Sequence, residues 1–291
     1  MTNNLIARMR RFHRAVTTEA GLLDASFLGR GRPLGPARVL NAIGQNICNI
    51  SDIRAYLRLD SGLASRLLRG LEAESLIELH TRDGDQRRRY ATLTKSGKQE
   101  YAAYEALSDA QATGIISRYA QPDKLLDAMD IVAIALGFEQ IRIERVSPLD
   151  KRAIDCLESY YDELNRRFEL GFDVALSCDP EAPDMQHPRG AFFIALSDGI
   201  PIGCVGLKGT DKGYGEIKRL WTSPQARGLG LASQLMDAAE KAAKTLGVIT
   251  LRLDSNKELS EAIAFYYKHG WSEIERFNDD PYPDIFMEKI L

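Results

Sequence analysis

The chain has 291 residues, 44% of them hydrophobic and 27% charged. That balance is globular, and the length suits two domains of ordinary size better than one core. No apolar run comes near the roughly 18 residues a membrane-spanning helix needs, and the longest, Met129 to Phe138, already contains Asp130. Cysteines at 48, 156, 178 and 204 show no C-x-x-C spacing. That argues against a disulfide scaffold and a zinc site, and for a reduced, cytoplasmic protein.

The formal net charge of −3 conceals an asymmetry. Residues 1–146 carry 21 Lys and Arg against 17 Asp and Glu, whereas residues 147–291 carry 17 against 24. A basic front and an acidic back imply different partners for the two halves. At the start, Leu5, Met9, Phe12 and Val16 share one face of a first helix, which fits the Arg-rich stretch better than a transit peptide does.

From Ile50 two helices follow in close succession. Ile53 and Leu57 belong to the first, and Leu63, Leu67 and Leu71 are expected to face the core from the second, with Asp60 or Ser61 as its cap. Ser61, Ser65, Arg66 and Arg69 then face outward, as in a helix-turn-helix whose second helix enters a major groove. Leu76–His80 alternates as a strand, Asp83-Gly84-Asp85 reads as a turn, and the return strand carries Arg87, Arg88 and Arg89. A basic ribbon beside a helix-turn-helix is a winged helix, able to reach phosphates or a flanking minor groove.

Asp85-Gln86-Arg87, followed by Leu93-Thr94-Lys95-Ser96-Gly97, resembles the wing signature of MarR-type transcriptional regulators, and Leu59–Glu72 resembles their recognition helix. The similarity covers roughly residues 3–137. It implies a DNA-binding homodimer on a palindromic operator, assembled through the first helix and the helices near 98–118 and 122–136.

After Ile141 the pattern turns mixed. Ala191–Leu196 and Ile202–Leu207 read as strands around a Ser197-Asp198-Gly199 turn, and Tyr214–Thr222 as a third. A long amphipathic helix to about Leu246, a strand at Val248–Leu253 and a helix at Leu259–His269 follow. Gly228 and Gly230 stand where strand gives way to helix. There, free main-chain N–H groups and the helix dipole can cradle a diphosphate, and Arg227 can add charge. Neither a P-loop nor a dinucleotide fingerprint is present.

Gln225-x-x-Gly228-x-Gly230-x-Ala232 resembles the coenzyme A-binding motif of GNAT-type N-acetyltransferases, and Glu261–Trp271 resembles their A-x-x-L-Y-x-x-x-G-F element. This likeness spans about 142–291. The division expected is a mainly α, MarR-like winged helix-turn-helix domain at 1–140 and an α/β (α+β) GNAT acyltransferase domain at 141–291, with a central mixed, mostly antiparallel sheet.

The resemblance implies acetyl-CoA as cosubstrate and a small-molecule amine, amino-acid-like for instance, as acceptor, while the spacing of the histidines and cysteines predicts no metal and the short apolar runs predict no membrane. Glu216 matches the general base, and Tyr266 the tyrosine whose phenol protonates the leaving thiolate. Coenzyme contacts are implied for Leu220, Trp221, Thr222, Gln225, Arg227, Gly228, Leu229, Gly230, Leu231, Ala232 and Asn256. The acceptor groove draws on Tyr161, Arg166, Arg167 and Asn278. Glu216 can equally be a strand carboxylate paired with Lys218 or Arg219, and the four histidines read as structural or surface residues. Two other functions stay open: a regulator that senses acetyl-CoA or a metabolite without turnover, and a protein lysine acetyltransferase.

Overall fold

The computed structural model describes residues 2–82, 85–176 and 183–291, with the side chains of residues 2–3 and 82–88 also outside the described set. The chain packs as two compact units that divide at Pro122. The expected turn residues Asp83 and Gly84, the Arg87 and Arg88 side chains and Cys178 lie outside the described residues.

The first unit is helical with a β-ribbon. Helix α1 (Thr2–Glu19) precedes α2 (Leu34–Gly44), α3 (Ile50–Leu57) and α4 (Ser61–Ala73). The Asn49 side chain caps α3 by accepting from Ser51 N–H at 2.8 Å, and that of Asp60 caps α4 by accepting from Leu63 N–H at 2.9 Å. Arg58, at φ 51°, turns the chain between them. On α4 the buried residues are Ala64, Leu68 and Leu71, while Leu63 and Leu67 are half-buried. The core face is therefore a stripe about 100° wide through 64, 67, 68 and 71, shifted from the expected row of every fourth leucine. It meets Val39, Leu40 and Ile53 in the core.

Strands β1 (Ile77–Arg82) and β2 (Asp85–Leu93) form an antiparallel ribbon, and Ala91 N–H donates to the Cys48 carbonyl at 2.8 Å. Thr94 then caps α5 (Lys95–Ser117), accepting from Gly97 N–H at 2.9 Å while donating to the Ser75 carbonyl. A Cβ on Gly97 would stand 1.8 Å from the Leu76 carbonyl oxygen, so only glycine fits.

The second unit opens with α6 (Pro122–Gly137), whose Ile134 is buried in that unit's core. By packing this helix belongs with the second unit, whereas the division drawn at 140 from sequence places it with the first. Then come β3 (Arg142–Val146), α7 (Lys151–Arg167), β4 (Ala191–Ser197), β5 (Ile200–Gly209), β6 (Gly215–Thr222), α8 (Leu231–Thr245), β7 (Thr250–Ser255), α9 (Ser260–Lys268), β8 (Ser272–Glu273) and β9 (Ile285–Ile290).

One mixed sheet runs β3-β4-β5-β6-β7-β9-β8, parallel between β6 and β7 and antiparallel at its other pairings. Asp198 and Gly199 both have positive φ, the conformation of a two-residue hairpin turn. Helix α8 buries Leu231, Leu235, Met236, Ala239 and Ala243 against one face of the sheet.

Two irregularities shape the site. Opposite Val205, β6 carries two residues, Arg219 and Leu220, because Cys204 pairs with Trp221 and Gly206 with Lys218. Arg219 sits at φ 57°, so this is a bulge that bends the strand. On its other edge β6 pairs with β7 only at Gly215 and Glu216. Beyond Glu216 the two strands part.

Candidate functional site

The gap between β6 and β7 leads into a cleft lined by Ile217–Leu220 on one strand and Asp254–Asn256 on the other, with Tyr266 of α9 beside them. Tyr160, Tyr161, Phe168, Phe172 and Tyr282 close its far side. Tyr266 is 6% exposed, and its hydroxyl has no hydrogen-bond partner among the described residues. Burial, and then the Asp254 carboxylate, push its phenol well above the ordinary tyrosine value, so at neutral pH it holds its proton.

A second cleft continues from the first past Leu220, Trp221 and Thr222 to Arg227, Gly228, Gly230, Leu231 and Ala232. Gly228 and Gly230 lie at φ 79° and 86°, and a Cβ at either would meet nothing within 4 Å. Backbone conformation, rather than crowding within the protein, demands glycine there, and the space beside both is open. No side chain caps α8, so its first-turn N–H groups are left for an outside acceptor. Ala232 also lines this cleft, while Leu229 packs toward the core.

The remaining polar residues of the turn are held by protein partners. Gln225 donates to Asp127 of α6 at 2.7 Å. Arg227 donates to Glu163 at 2.6 Å, and Glu163 also accepts from Trp221 Nε1 at 2.9 Å and from Arg167 at 3.2 Å. Burial pushes the Glu163 carboxyl up, but the hydrogen bonds from Arg227 and Trp221 outweigh it and hold the acid below its ordinary value. Asn256 lines the first cleft, with its amide donating to the Tyr282 carbonyl and its oxygen accepting from Glu258 N–H. His269 Nδ1 donates to the Phe265 carbonyl at 2.7 Å, which leaves Nε2 to accept from Ser233 Oγ at 3.1 Å.

Glu216 is 6% exposed and lines a separate opening with Lys208, Lys212, Arg276 and Asn278, rather than the cleft that holds Tyr266. Lys218 links the two. Its Nζ lies 2.5 Å from Asp254 Oδ2 and 3.4 Å from Glu216 Oε2, and Asn278 donates to the same Asp254 oxygen at 2.6 Å. Burial opposes charge on Lys218, but Asp254 and Glu216 outweigh it and raise its pKa. Neither Lys218 nor Asp254 stands out as a site residue in the sequence. Each shares its strand with other charged residues, Glu216 and Arg219 on β6 and Arg252 on β7, so nothing local singles it out.

Of the expected groove residues, Tyr161 lines the first cleft, Arg167 lines the second while paired with Glu163 and Glu261, and Asn278 is bound to Asp254. Arg166 is exposed on α7 and lines neither cleft; its Nε donates to the Asp162 carbonyl. Among the described residues no group of three His, Cys, Asp or Glu side chains is arranged to hold a metal, and no helix is long and apolar enough to cross a membrane. In the first unit Ser61, Ser65, Arg66 and Arg69 are all exposed on α4, and Arg89 is exposed on β2.

The acetyltransferase (GNAT) family model matches residues 125–271. The chain belongs to the GNAT acetyltransferase family. The match begins inside α6, in keeping with that helix's packing. A MarR family model matches residues 31–89, from before α2 through most of the ribbon, so the protein is a MarR–GNAT fusion and an N-acetyltransferase by family. The GNAT half is 30% identical over 156 residues to an IAA acetyltransferase of Azospirillum brasilense, covering 52% of this chain and 98% of that one. An uncharacterized N-acetyltransferase of Schizosaccharomyces pombe is 29% identical over 42% of this chain and 79% of its own. A Thermoplasma acidophilum PaiA N-acetyltransferase, solved with coenzyme A, is 21% identical, with a TM-score of 0.42 over 52% of this chain and 99% of that one.

Proposed function

We propose that the second unit transfers an acetyl group from acetyl-CoA to the amine of a small molecule. The observation that carries this reading is the parting of β6 and β7 beside an uncapped, two-glycine helix start, with the unpartnered Tyr266 hydroxyl in the same cleft. Main-chain N–H groups from Gly228 to Ala232 would hold the diphosphate, and the unpaired edges of β6 and β7 would hydrogen-bond the amides of the pantetheine arm as an added strand does. Leu220, Trp221, Thr222, Gln225, Arg227, Leu229 and Asn256 shape or brace that path.

The chemistry asks little of the protein. The acceptor must lose a proton to become nucleophilic, and the linked carboxylates Glu216 and Asp254 supply acceptors for it. Tyr266, held protonated, supplies the departing thiolate with a proton. A narrow, ring-lined cleft fits a small amine better than a protein surface.

The test is release of free thiol from acetyl-CoA over a panel of amines, amino acids and peptides. Tyr266→Phe and Glu216→Gln should slow turnover, by on the order of 10²-fold for Tyr266, with coenzyme A binding by calorimetry largely kept. Unchanged rates would remove these roles, and binding without thiol release would instead identify a sensor.

For the first unit we propose operator binding as a homodimer, with α4 in the major groove and Arg87–Arg89 along the backbone. The half-exposed row Leu5, Met9, Phe12 and Val16 on α1 supports pairing with a second copy.

A further inference from the structure

One wall of the Tyr266 cleft is built from rings that mostly pack on one another. Phe172 lies 4.7 Å from Tyr282 and 5.6 Å from Tyr161, and Phe168 lies 6.1 Å from both Phe172 and Tyr282, measured between ring centroids. All four are only half-buried, and all four line the cleft. Tyr282 also fastens the wall. Its hydroxyl accepts from Asp173 N–H at 2.9 Å and donates to the Asp173 carbonyl at 3.2 Å, tying the loop before β9 to the segment after α7.

Asp254 also faces this cleft. Its Oδ2 takes both the Lys218 ammonium and the Asn278 amide, while Oδ1 has no hydrogen-bond partner among the described residues. The Tyr266 hydroxyl, on a side chain more than nine-tenths buried, also has no hydrogen-bond partner among the described residues. Lys218 is the shared counter-charge of Asp254, Glu216 and Asp280, so it does not neutralise Asp254 alone. Arg219, the other cation on the wall, lies over the Tyr161 ring at 5.9 Å. A carboxylate oxygen without a donor, at the edge of an aromatic wall, suits an ammonium attached to a flat apolar body.

We infer that the acceptor is a primary amine carried on an aromatic ring by a short chain, with its ring against Phe172 and Tyr282 and its nitrogen on Asp254 Oδ1. This rests on the acetyl-transfer reading and adds the substrate class and a proton acceptor to it. The ammonium gives one proton to Asp254, and the freed lone pair forms the C–N bond to the thioester carbonyl carbon. As the C–S bond breaks, the thiolate takes the Tyr266 proton, and the proton then shed by the nitrogen restores the tyrosine. Lys218 and Asn278 position Asp254 by fixing its other oxygen.

Two measurements on the full chain test this. Initial rates of thiol release are compared for phenethylamine, n-hexylamine and a lysine-containing peptide, and phenethylamine binding to protein saturated with coenzyme A is followed by calorimetry. Phenethylamine should exceed n-hexylamine in kcat/KM by about tenfold. Asp254→Asn should abolish its measurable binding, and Phe172→Leu, remote from the charge network, should narrow the ratio between the two amines. A preference for hexylamine or the peptide, or no phenethylamine binding, overturns the inference and leaves acetyl transfer standing. Binding that depends on Asp254 without thiol release from any amine keeps the aromatic-amine site and removes acetyl transfer.

Discussion

The outer face of α4 and the strand pair β6–β7 use the same residue types in opposite surroundings. On α4, Arg66 and Arg69 stand exposed, and Arg69 Nε donates to the Ser65 carbonyl one turn back. Between β6 and β7, Lys218 is enclosed with Asp254, Glu216 and Asn278 at hydrogen-bonding or ion-pair distance. Exposed charges act at long range, tolerate rearrangement and fade with salt. Enclosed charges act through fixed geometry, and each depends on its neighbours. The first arrangement suits a polyanion approached from solution. The second suits a reaction in which one proton must go to one place.

That contrast can be broken most severely at Lys218. Lys218→Met leaves Asp254 and Glu216 without the ammonium they share and should cost about 3 kcal/mol of stability, visible as a lowered thermal midpoint in calorimetry. A melting curve matching the parent's would mean that the carboxylates are solvated and the network does little. Arg66 and Arg69 should behave in the other way. Changing both to alanine should leave the melting curve in place but flatten the dependence of log affinity on log salt by about 0.9 for each phosphate no longer neutralised, as measured by fluorescence anisotropy on duplex DNA. An unaltered slope would take α4 off the DNA.

The smallest effect belongs to a pair between these extremes, Arg167 of α7 and Glu261 of α9. The Arg167 hydrogen bond lowers the Glu261 carboxyl from 4.5 to about 2. A folded-state value below the unfolded one adds stability that is present above pH 4.5 and is lost as the pH falls toward 2. Glu261 is about half exposed, so the gain is screened and small. Thermal midpoints of the parent and Glu261→Gln should differ slightly at pH 6 and converge near pH 2. Curves that stay parallel would show that the pair contributes nothing.

Much of the molecule is legible without coordinates, and unevenly so. The helix-turn-helix, the ribbon, the hairpin at Asp198-Gly199, the two-glycine helix start and the placing of Tyr266 on a late helix all come from residues within about ten positions of one another. Capping oxygens, turn glycines and apolar periodicity act over that range. The same local rules locate α4 but set its buried face one residue off, because a helix buries a broad stripe and not a single row.

Pairings distant in sequence are decided by the tertiary structure alone. Glu216 opens toward Lys208 and Asn278 while Asp254 lines the cleft that holds Tyr266, because β6 and β7 are still paired at Glu216 and have parted by Asp254. Lys218 and Asp254 are 36 residues apart, and Phe168 and Tyr282 are 114 apart, so no periodicity links them. Helix α6 carries MarR-like spacing yet buries Ile134 in the acetyltransferase core. Local chemistry thus wrote the elements and the two-glycine helix start into the sequence. Which carboxylate meets the tyrosine, and which rings wall their cleft, depends on how the sheet twists and where two of its strands separate.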